Sequence, residues 1–188
     1  MAFKDKFRDF QSLKVNDELL LRQVNLEKDL DEYHKIYCDM EITRFLPGGL
    51  KEPPKIETTV RILENQIKEF EKARIYSWTI TETKSDKALG RIFLSDFEYN
   101  NKNANIGYWI GRDSWGKGII SACINPIVKF GFTYLELERI YTTVHPENIA
   151  SWKALEKNGF LREGLLRHCF DLNTGLSDCY MYSRLSTD

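Results

Sequence analysis

The sequence predicts a mixed α/β domain with a partly parallel sheet. Two observations predict this class: apolar residues change from the helical period of 3.6 to the strand period of 2 near the middle of the chain, and strands alternate with helices thereafter. With 42% hydrophobic and 13% aromatic residues, the chain has enough apolar surface for a core and does not resemble a disordered protein. For 188 residues we expect one domain, residues 1–188, with its core at about 17–185.

The first half of the chain predicts a short strand followed by two amphipathic helices. Residues 19–23 are apolar enough for a strand, and Asn25 follows as a helix cap. The helical period is then carried by Leu26, Leu30, Tyr33 and Tyr37 in the first helix, and by Val60, Leu63, Ile67 and Phe70 in the second. A long irregular connection at 48–54 separates the two helices.

The second half predicts a sheet with two further helices. Tyr76, Trp78 and Ile80 alternate, and a turn at 84–87 leads into 89–97, which is typical of a hairpin. The later elements are a strand with Ile106, Tyr108 and Ile110, a helix to about Tyr134, a strand at 139–144, a helix at 148–158, and strands near 160–167 and 179–185. Pro126 predicts a kink or a late start in the first of these helices.

Charge and cysteine usage exclude several classes. With 27 basic and 28 acidic residues the net charge is −1, which disfavours direct binding to nucleic acid or to a membrane surface. No apolar run approaches the ~20 residues that span a bilayer, and the amino terminus lacks a signal pattern, so we expect a cytoplasmic protein. Cys38, Cys123, Cys169 and Cys179 form no C-x-x-C pair, and we expect free thiols rather than disulfides.

A glycine-rich loop at 111–118 connects the strand that ends at Ile110 to the following helix. The first N–H groups of a helix are unpaired and the helix dipole is positive there, so a phosphate group can dock. Gly116 and Gly118 permit close approach of the backbone, and Lys117 adds positive charge. The alternative is that these glycines merely form a turn between strand and helix.

Three classes of site could use this loop. A P-loop needs Ser or Thr after its lysine, where this chain has Gly118. A dinucleotide site needs a third glycine, where Ser121 stands, and an acidic residue at the end of the next strand, whereas Glu138 precedes that strand. Both classes are therefore disfavoured, and the third class is a coenzyme A site.

Four segments in order resemble the acetyl-CoA motifs of the GNAT N-acetyltransferase superfamily: IGYWI at 106–110, WGKGI at 115–119, NIAS at 148–151 and EKNGF at 156–160. Their spacing, with the segment 161–185, is similar to the branch of ribosomal-protein alanine N-acetyltransferases. The resemblance implies a single domain with a central, mostly antiparallel, twisted sheet that is flanked by helices and splays at the acetyl-CoA strand. It also implies direct transfer of an acetyl group from acetyl-CoA to a primary amine, with a protein N-terminal α-amino group as the favoured acceptor.

The resemblance further implies where the cosubstrate lies. Backbone N–H groups of the strand residues Tyr108, Trp109 and Ile110 line the pantetheine arm and hold the oxyanion. The pyrophosphate lies on the loop residues Trp115, Gly116, Lys117, Gly118 and Ile119. Asn148 contacts the pantetheine or caps the helix that follows it, and the two roles are compatible.

Ser151 matches the serine that donates a proton to the departing thiolate in the ribosomal-protein branch. The alternative is a serine whose hydroxyl only bonds one turn back in its helix or caps it. For the acceptor, we expect contacts from the segment 41–47, with Phe45 and Leu46 as candidates, although both could equally be core residues.

Three positions depart from the family pattern and put the activity in question. Asp113 stands where the superfamily usually has Gln or Arg, and an acidic side chain beside a pyrophosphate is unfavourable unless it points to solvent. Leu155 replaces a tyrosine that many members carry. Phe170 aligns with a glutamate that assists catalysis in some of the ribosomal-protein branch.

The general base is left unassigned, with Glu98, His145 and His168 as titratable candidates near strand ends. An α-amino group has a pKa near 8 against about 10.4 for lysine, so a terminal amine needs less help from a base. The alternatives are a small-amine acetyltransferase, acting on an antibiotic or polyamine, and a non-catalytic acyl-CoA-binding sensor. The histidines are isolated, so we expect no metal, and the protein is a monomer or homodimer.

Overall fold

The structure of the chain is a computed structural model that describes residues 3–45, 52–172 and 175–188. The strands are β1 (Leu13–Lys14), β2 (Leu19–Arg22), β3 (Tyr76–Glu82), β4 (Ala88–Glu98), β5 (Asn103–Ile110), β6 (Arg139–Val144), β7 (Leu161–Leu172) and β8 (Gly175–Leu185). The helices are α1 (Leu26–Tyr37), α2 (Met40–Thr43), α3 (Ile56–Glu71), α4 (Ile119–Thr133) and α5 (Ile149–Lys157), with 3-10 turns at Phe3–Phe7 and Arg112–Ser114. Within these described ranges, every helix is too short or too polar to span a membrane.

All eight strands belong to one sheet, in the order β1-β2-β3-β4-β5-β6-β8-β7. Among the described strands, six of the seven neighbouring pairs are antiparallel, and only β5 and β6 run parallel. Helix α4 makes the crossover that a parallel pair requires. The predicted mixed α/β class with a mostly antiparallel sheet is therefore confirmed.

The parallel pair separates along its length. Residues 103–105 of β5 pair with 139–141 of β6, and no further pairing follows between the described residues of these strands. Strand β5 nevertheless continues to Ile110 and β6 to Val144, so their carboxyl ends diverge. The splay predicted at this strand is present, and we call the space between the two diverging ends the gap.

One face of the sheet forms the main core against α4. Side chains that alternate along the strands, including those of Trp78, Ile92 and Ile106, are completely buried there. They pack in the same cluster as Ile124 and Ile127 of α4. The apolar residues that the sequence period identified in these elements are therefore the ones that face the core.

The opposite face packs against α1 and α3. Trp109 of β5 contacts Tyr33 and Tyr37 of α1, with ring centroids 5.0 and 5.1 Å apart, and Leu63 of α3 completes the cluster. Because side chains alternate along a strand, Trp109 lies on the face opposite to its neighbours Tyr108 and Ile110.

Helix α4 begins immediately after Gly118 and continues past Pro126. The late start predicted as one alternative is therefore wrong, and the kink remains a prediction. The helix tolerates the proline because its two ends are anchored by packing, although the missing N–H leaves the Ala122 carbonyl without its helical partner.

The expectation of free thiols is correct for two cysteines and wrong for the other two. Cys169 of β7 and Cys179 of β8 form a disulfide, since antiparallel pairing brings their Cα atoms to 6.0 Å. Sequence spacing does not reveal which hairpin residues face each other. Cys38 and Cys123 are free, and burial raises the pKa of the Cys123 thiol to about 12.

A buried ion pair fastens α1 to the sheet. The carboxylate of Asp29 is completely buried and accepts hydrogen bonds from Nη1 and Nη2 of Arg22 at 2.8 and 2.7 Å. It also accepts from the backbone N–H of Asn25 at 2.8 Å. The bond to Asp29 is the main cause that raises the pKa of Arg22.

We predict that Asp29→Ala lowers the free energy of unfolding by about 3 kcal/mol, because it removes the buried carboxylate that accepts two bonds from Arg22 and one from the Asn25 N–H, and leaves Asp86 as the remaining carboxylate beside that guanidinium. Denaturant titration of both proteins measures this difference. Asp17→Ala is the matched control, since Asp17 is 95% exposed and pairs with Lys14 at the surface. An equal loss in both variants would contradict the role assigned to Asp29.

Candidate active site

The gap between β5 and β6 presents unpaired backbone groups of β5. The N–H of Gly111 donates to the carbonyl of Leu89 on the β4 side, at 2.8 Å. Successive residues of a strand direct their backbone groups to opposite edges. The N–H groups of Tyr108 and Ile110 therefore face the gap, where they are available to an acyl carrier.

Trp115 closes one side of this gap. Its indole Nε1 donates to the carbonyl of Ile110 at 3.0 Å, and the side chain is 46% exposed. The indole thus occupies a gap-facing acceptor of β5 while leaving the N–H of Ile110 free. An exposed aromatic ring tied to the strand end is suited to contact a ligand that enters there.

The glycine loop fits a phosphate group. Gly116 and Gly118 both have a φ of 72°, and no atom lies within 4 Å of the position where a Cβ would stand. Gly118 precedes α4 as its cap residue, and no side chain of the described residues caps that helix. The first N–H groups of α4 are therefore unfilled donors beside open space, and Lys117 is exposed next to them.

The acidic residue of this loop is directed away from the glycines. Asp113 is 81% exposed and its carboxylate lies 3.1 Å from Nζ of Lys35 on α1. Its neighbour Arg112 forms a two-bond ion pair with Asp39, which caps α2. The departure at Asp113 is therefore compatible with pyrophosphate binding, because the side chain points to solvent and is paired.

The side chains of Tyr108 and Ser151 meet across the gap. The Tyr108 hydroxyl lies 3.0 Å from Oγ of Ser151, and either oxygen could be the donor. Ser151 does not cap α5: the side chain of Asn148 does, accepting from the backbone N–H of Ser151 at 3.3 Å. The cap holds the first turn of α5 so that its serine faces β5.

Tyr108 retains its proton over a wide pH range. Burial raises the pKa of its phenol, and the hydrogen bond with Ser151 opposes that rise only in part. A protonated phenol can donate to the serine, whose own hydroxyl proton is then free to point into the gap. Sequence reasoning assigned Tyr108 only a backbone role. Its place in the alternation nevertheless puts its side chain on the same face of the sheet as Ile106 and Ile110.

Phe45 and His145 lie together at the open end of the gap. His145 directly follows β6, and its ring stacks on Phe45 with centroids 5.2 Å apart. Its Nε2 is 2.7 Å from Oγ of Ser177, while Nδ1 accepts from the backbone N–H of Glu147 at 3.2 Å. The second acceptor candidate, Leu46, lies outside the described residues.

The other base candidates are placed less favourably. Glu98 pairs with Asn103 at the closed end of the gap and accepts from amides nearby. His168 is exposed on the edge strand β7, with a φ of 50° and its N–H bonded to Asp178. Only His145 therefore reaches the open end.

Three further positions have structural roles. The ring of Trp109 is buried among tyrosines of α1, and its backbone groups face β4 in register with Arg91, so Trp109 does not supply the gap-facing N–H that the resemblance implied. Leu155 is completely buried in the main core, and Phe170 is buried beside the disulfide between β7 and β8. Their side chains supply no proton. No group of three metal-ligating side chains occurs among the described residues.

The chain matches the family model for the acetyltransferase (GNAT) domain over residues 18–161. It is 32% identical to an uncharacterized N-acetyltransferase, p20, of Bacillus licheniformis, over 92% of this chain and 95% of that protein. It is 26% identical to the ribosomal-protein-serine acetyltransferase of Escherichia coli, over 93% and 97%. A spermidine N(1)-acetyltransferase of Vibrio cholerae is 29% identical over 53% of this chain and 57% of that protein.

Solved structures share the fold. The microcin C7 self-immunity acetyltransferase, in complex with acetyl-CoA and AMP, superposes with a TM-score of 0.82 at 24% identity, covering 92% of this chain and 95% of that one. The ribosomal-protein-S5-alanine acetyltransferase of Vibrio fischeri superposes with a TM-score of 0.82 at 18% identity, covering 95% and 98%.

A parallel pair that splays beside a glycine-rich loop is thus part of a fold that these solved acetyltransferase structures share. The chain belongs to the GNAT family of acetyltransferases. It is an acetyl-CoA-dependent N-acetyltransferase, as the sequence motifs indicated, and this disfavours the alternative of a non-catalytic sensor.

We predict that Gly118→Val weakens acetyl-CoA binding by at least about tenfold, because the added side chain enters the open space over the loop and strains a left-handed backbone. Calorimetric titration measures the affinity. Gly164→Val on β7 is the control, since that glycine also has open space around it but lies far from the loop in the sheet order. Wild-type affinity in a folded Gly118→Val protein would remove the loop from the site.

Proposed function

We propose that the enzyme acetylates the N-terminal α-amino group of a protein, and that Ser151 is its catalytic residue. The observation that carries this proposal is the pair of hydroxyls, Tyr108 and Ser151, 3.0 Å apart at the side of the gap. The pair supplies a mobile proton beside the strand whose backbone N–H groups are free.

The cosubstrate is proposed to lie along β5 with its pyrophosphate on the loop. Bound acetyl-CoA supplies the thioester that is attacked. The N–H groups of Tyr108 and Ile110 hold the pantetheine arm and stabilise the negative charge that develops on the acetyl oxygen. Asn148 orients α5, and residues 115–119 bind the phosphates through backbone donors.

Ser151 is proposed to move the proton. When a neutral amine attacks a thioester, the nitrogen must lose a proton and the departing sulfur must gain one. Ser151 can give its proton to the sulfur and take one from the nitrogen, so that its hydroxyl ends unchanged. Tyr108 donates to Ser151 and is a positioning residue, because burial keeps its phenol protonated.

Because Ser151 takes up one proton for each proton it gives away, the transfer itself needs no strong base. A base is required only to deprotonate the incoming ammonium, and an α-amino group with a pKa near 8 is already partly neutral at physiological pH. That proton can leave to water at the open end of the gap, since both ring nitrogens of His145 already have hydrogen-bond partners in Ser177 and the backbone of Glu147. A lysine amine, with a pKa near 10.4, would need more help.

The residues around Phe45, where the acceptor is proposed to bind and which we call the acceptor side, favour a peptide terminus over a polycation. The carboxylates of α2 nearest to Phe45 are already neutralised: Asp39 pairs with Arg112, and Glu41 lies 3.0 Å from Arg44. Arg44 also lies over the Phe45 ring, 4.5 Å from its centroid. Polyamine recognition would need unpaired carboxylates, and the described part of this edge presents a guanidinium and an aromatic stack instead.

A small amine remains the second candidate acceptor. It is supported by the partial similarity to a spermidine acetyltransferase, which covers 53% of this chain. The ribosomal-protein-serine acetyltransferase matches over 93% of the chain, and that broader coverage supports the peptide acceptor.

We predict that Ser151→Ala lowers kcat well over about tenfold with little change in acetyl-CoA affinity, because it removes the proton carrier and no cosubstrate-binding group. Steady-state thiol release measures kcat, and calorimetry measures the acetyl-CoA affinity. Ser186→Ala is the matched control, since that hydroxyl bonds Glu138 at the closed end of the gap. Unchanged turnover in Ser151→Ala rules out the assigned role.

The Tyr108→Phe variant tests the positioning role in a double-mutant cycle. We expect a smaller loss of kcat than in Ser151→Ala, and no additional loss when both substitutions are combined, because tyrosine acts through the serine. Additive losses would show that the two hydroxyls act independently.

We predict that a peptide with a free amino terminus is acetylated at least about tenfold more efficiently than spermidine, and that its kcat/KM rises with pH and levels above about 8, as the α-amine becomes neutral. Thiol release across pH measures both. The control is a peptide of otherwise equal sequence whose terminus is blocked and which carries an internal lysine, so that the lysine is its only amine. Efficient turnover of spermidine alone would establish the second candidate instead.

A further inference from the structure

A cavity of about 380 Å³ lies between α3 and the sheet, away from the gap. Its lining combines two guanidinium groups, two amides and two isoleucines: Arg61, Arg91, Asn65, Gln66, Ile62 and Ile75. No carboxylate from the described part of the chain lines it. The volume is within the range of small-molecule sites, which typically hold about 300–1,000 Å³.

Arg91 is the charged group at the base of this cavity. Its Nε donates to Oγ of Ser77 at 2.7 Å, and its guanidinium lies 4.3 Å from the ring centroid of Phe93. Among the described residues it forms no ion pair, and neither does Arg61. Burial lowers the pKa of Arg91, which reflects the cost of a positive charge held in the protein without a counter-ion.

Gln66 adds an unsatisfied donor to the same place. The residue is only 4% exposed, and its Oε1 accepts from the Ser77 hydroxyl at 3.3 Å. Its Nε2 has no hydrogen-bond partner among the described residues. Buried amide donors are nearly always paired, so an unpaired one indicates a missing acceptor. Here it lies beside a cavity and near the guanidinium of Arg91, which bonds the hydroxyls of Ser77 and Tyr37 but has no carboxylate partner among the described residues.

The cavity is distinct from the active site. Arg91 of β4 pairs across the sheet with Trp109 of β5, and both side chains lie on the face covered by α1 and α3. Tyr108 and Ser151 meet on the opposite face. The cosubstrate and a ligand in the cavity would therefore not share contacts with side chains.

We propose that this cavity binds a small organic carboxylate, with its carboxylate on Arg91 and Gln66 and its apolar part against Ile62 and Ile75. A planar carboxylate matches the fork of a guanidinium, and its second oxygen can accept from an amide. The isoleucines distinguish this ligand from an inorganic anion, which would leave the apolar half of the cavity unfilled.

The proposal is tested by titrating ¹⁵N-labelled protein, saturated with coenzyme A so that the gap is filled, with hexanoate. Hexanamide and sulfate are the comparison probes. We expect saturable shifts of the Arg91 Nε–H and Gln66 side-chain signals with hexanoate, and binding at least about tenfold weaker for the uncharged amide and for sulfate.

Variants separate the site from a general charge effect. Gln66→Leu retains the volume of the side chain and removes the donor, and Arg91→Gln removes the charge; each is expected to weaken hexanoate binding at least about tenfold. Arg74→Gln is the control, because Arg74 pairs with Glu69 at the surface and does not line the cavity. If Arg91→Gln fails to fold, Gln66→Leu and Arg61→Gln carry the test.

Several outcomes would overturn the proposal. These are shifts that do not saturate, equal binding of hexanoate and hexanamide, or shifts that cluster at Tyr108 and Ser151 rather than at the cavity. Tighter binding of sulfate than of hexanoate would likewise overturn it and assign the cavity to inorganic anions.

Discussion

The separation of β5 from β6 is the constraint on which the site depends. Parallel pairing ends after residue 105 of β5, so the gap-facing backbone groups of Tyr108 and Ile110 have no strand partner. Backbone N–H groups left unpaired inside a protein are costly unless water or a ligand satisfies them. The strand thus presents an extended ligand with the same donors that another strand would use, and α4 and α5 begin beside it.

Local sequence signals predicted the elements well, because the period of apolar residues and the capping residues act over a few positions. The strand 139–144 and the cap at Asn25 were predicted as found. The four-residue helix α2 and the two-residue strand β1 were missed, since such short elements show no period. The glycine loop could also be read, because a positive φ strongly selects glycine.

Contacts between distant residues could not be read in the same way. The Tyr108–Ser151 bond joins residues 43 positions apart, and it exists only because α5 crosses the end of β5. The pairing of Cys169 with Cys179 depends on the register and the bulges of a hairpin. Sequence patterns gave candidates for each chemical role, and only tertiary packing decided which candidates meet.

The loop that is proposed to hold the pyrophosphate is also tied to the acceptor side. Arg112, within the turn before Gly116, pairs with Asp39, whose side chain caps the short helix α2. That helix leads directly to Phe45, which stacks on His145 at the open end of the gap. This ion pair therefore connects the glycine loop directly to the residue that caps α2. Asp113 stands where the family pattern has Gln or Arg, and it pairs with Lys35 of α1, while its neighbour Arg112 supplies the cation that pairs with the cap of α2.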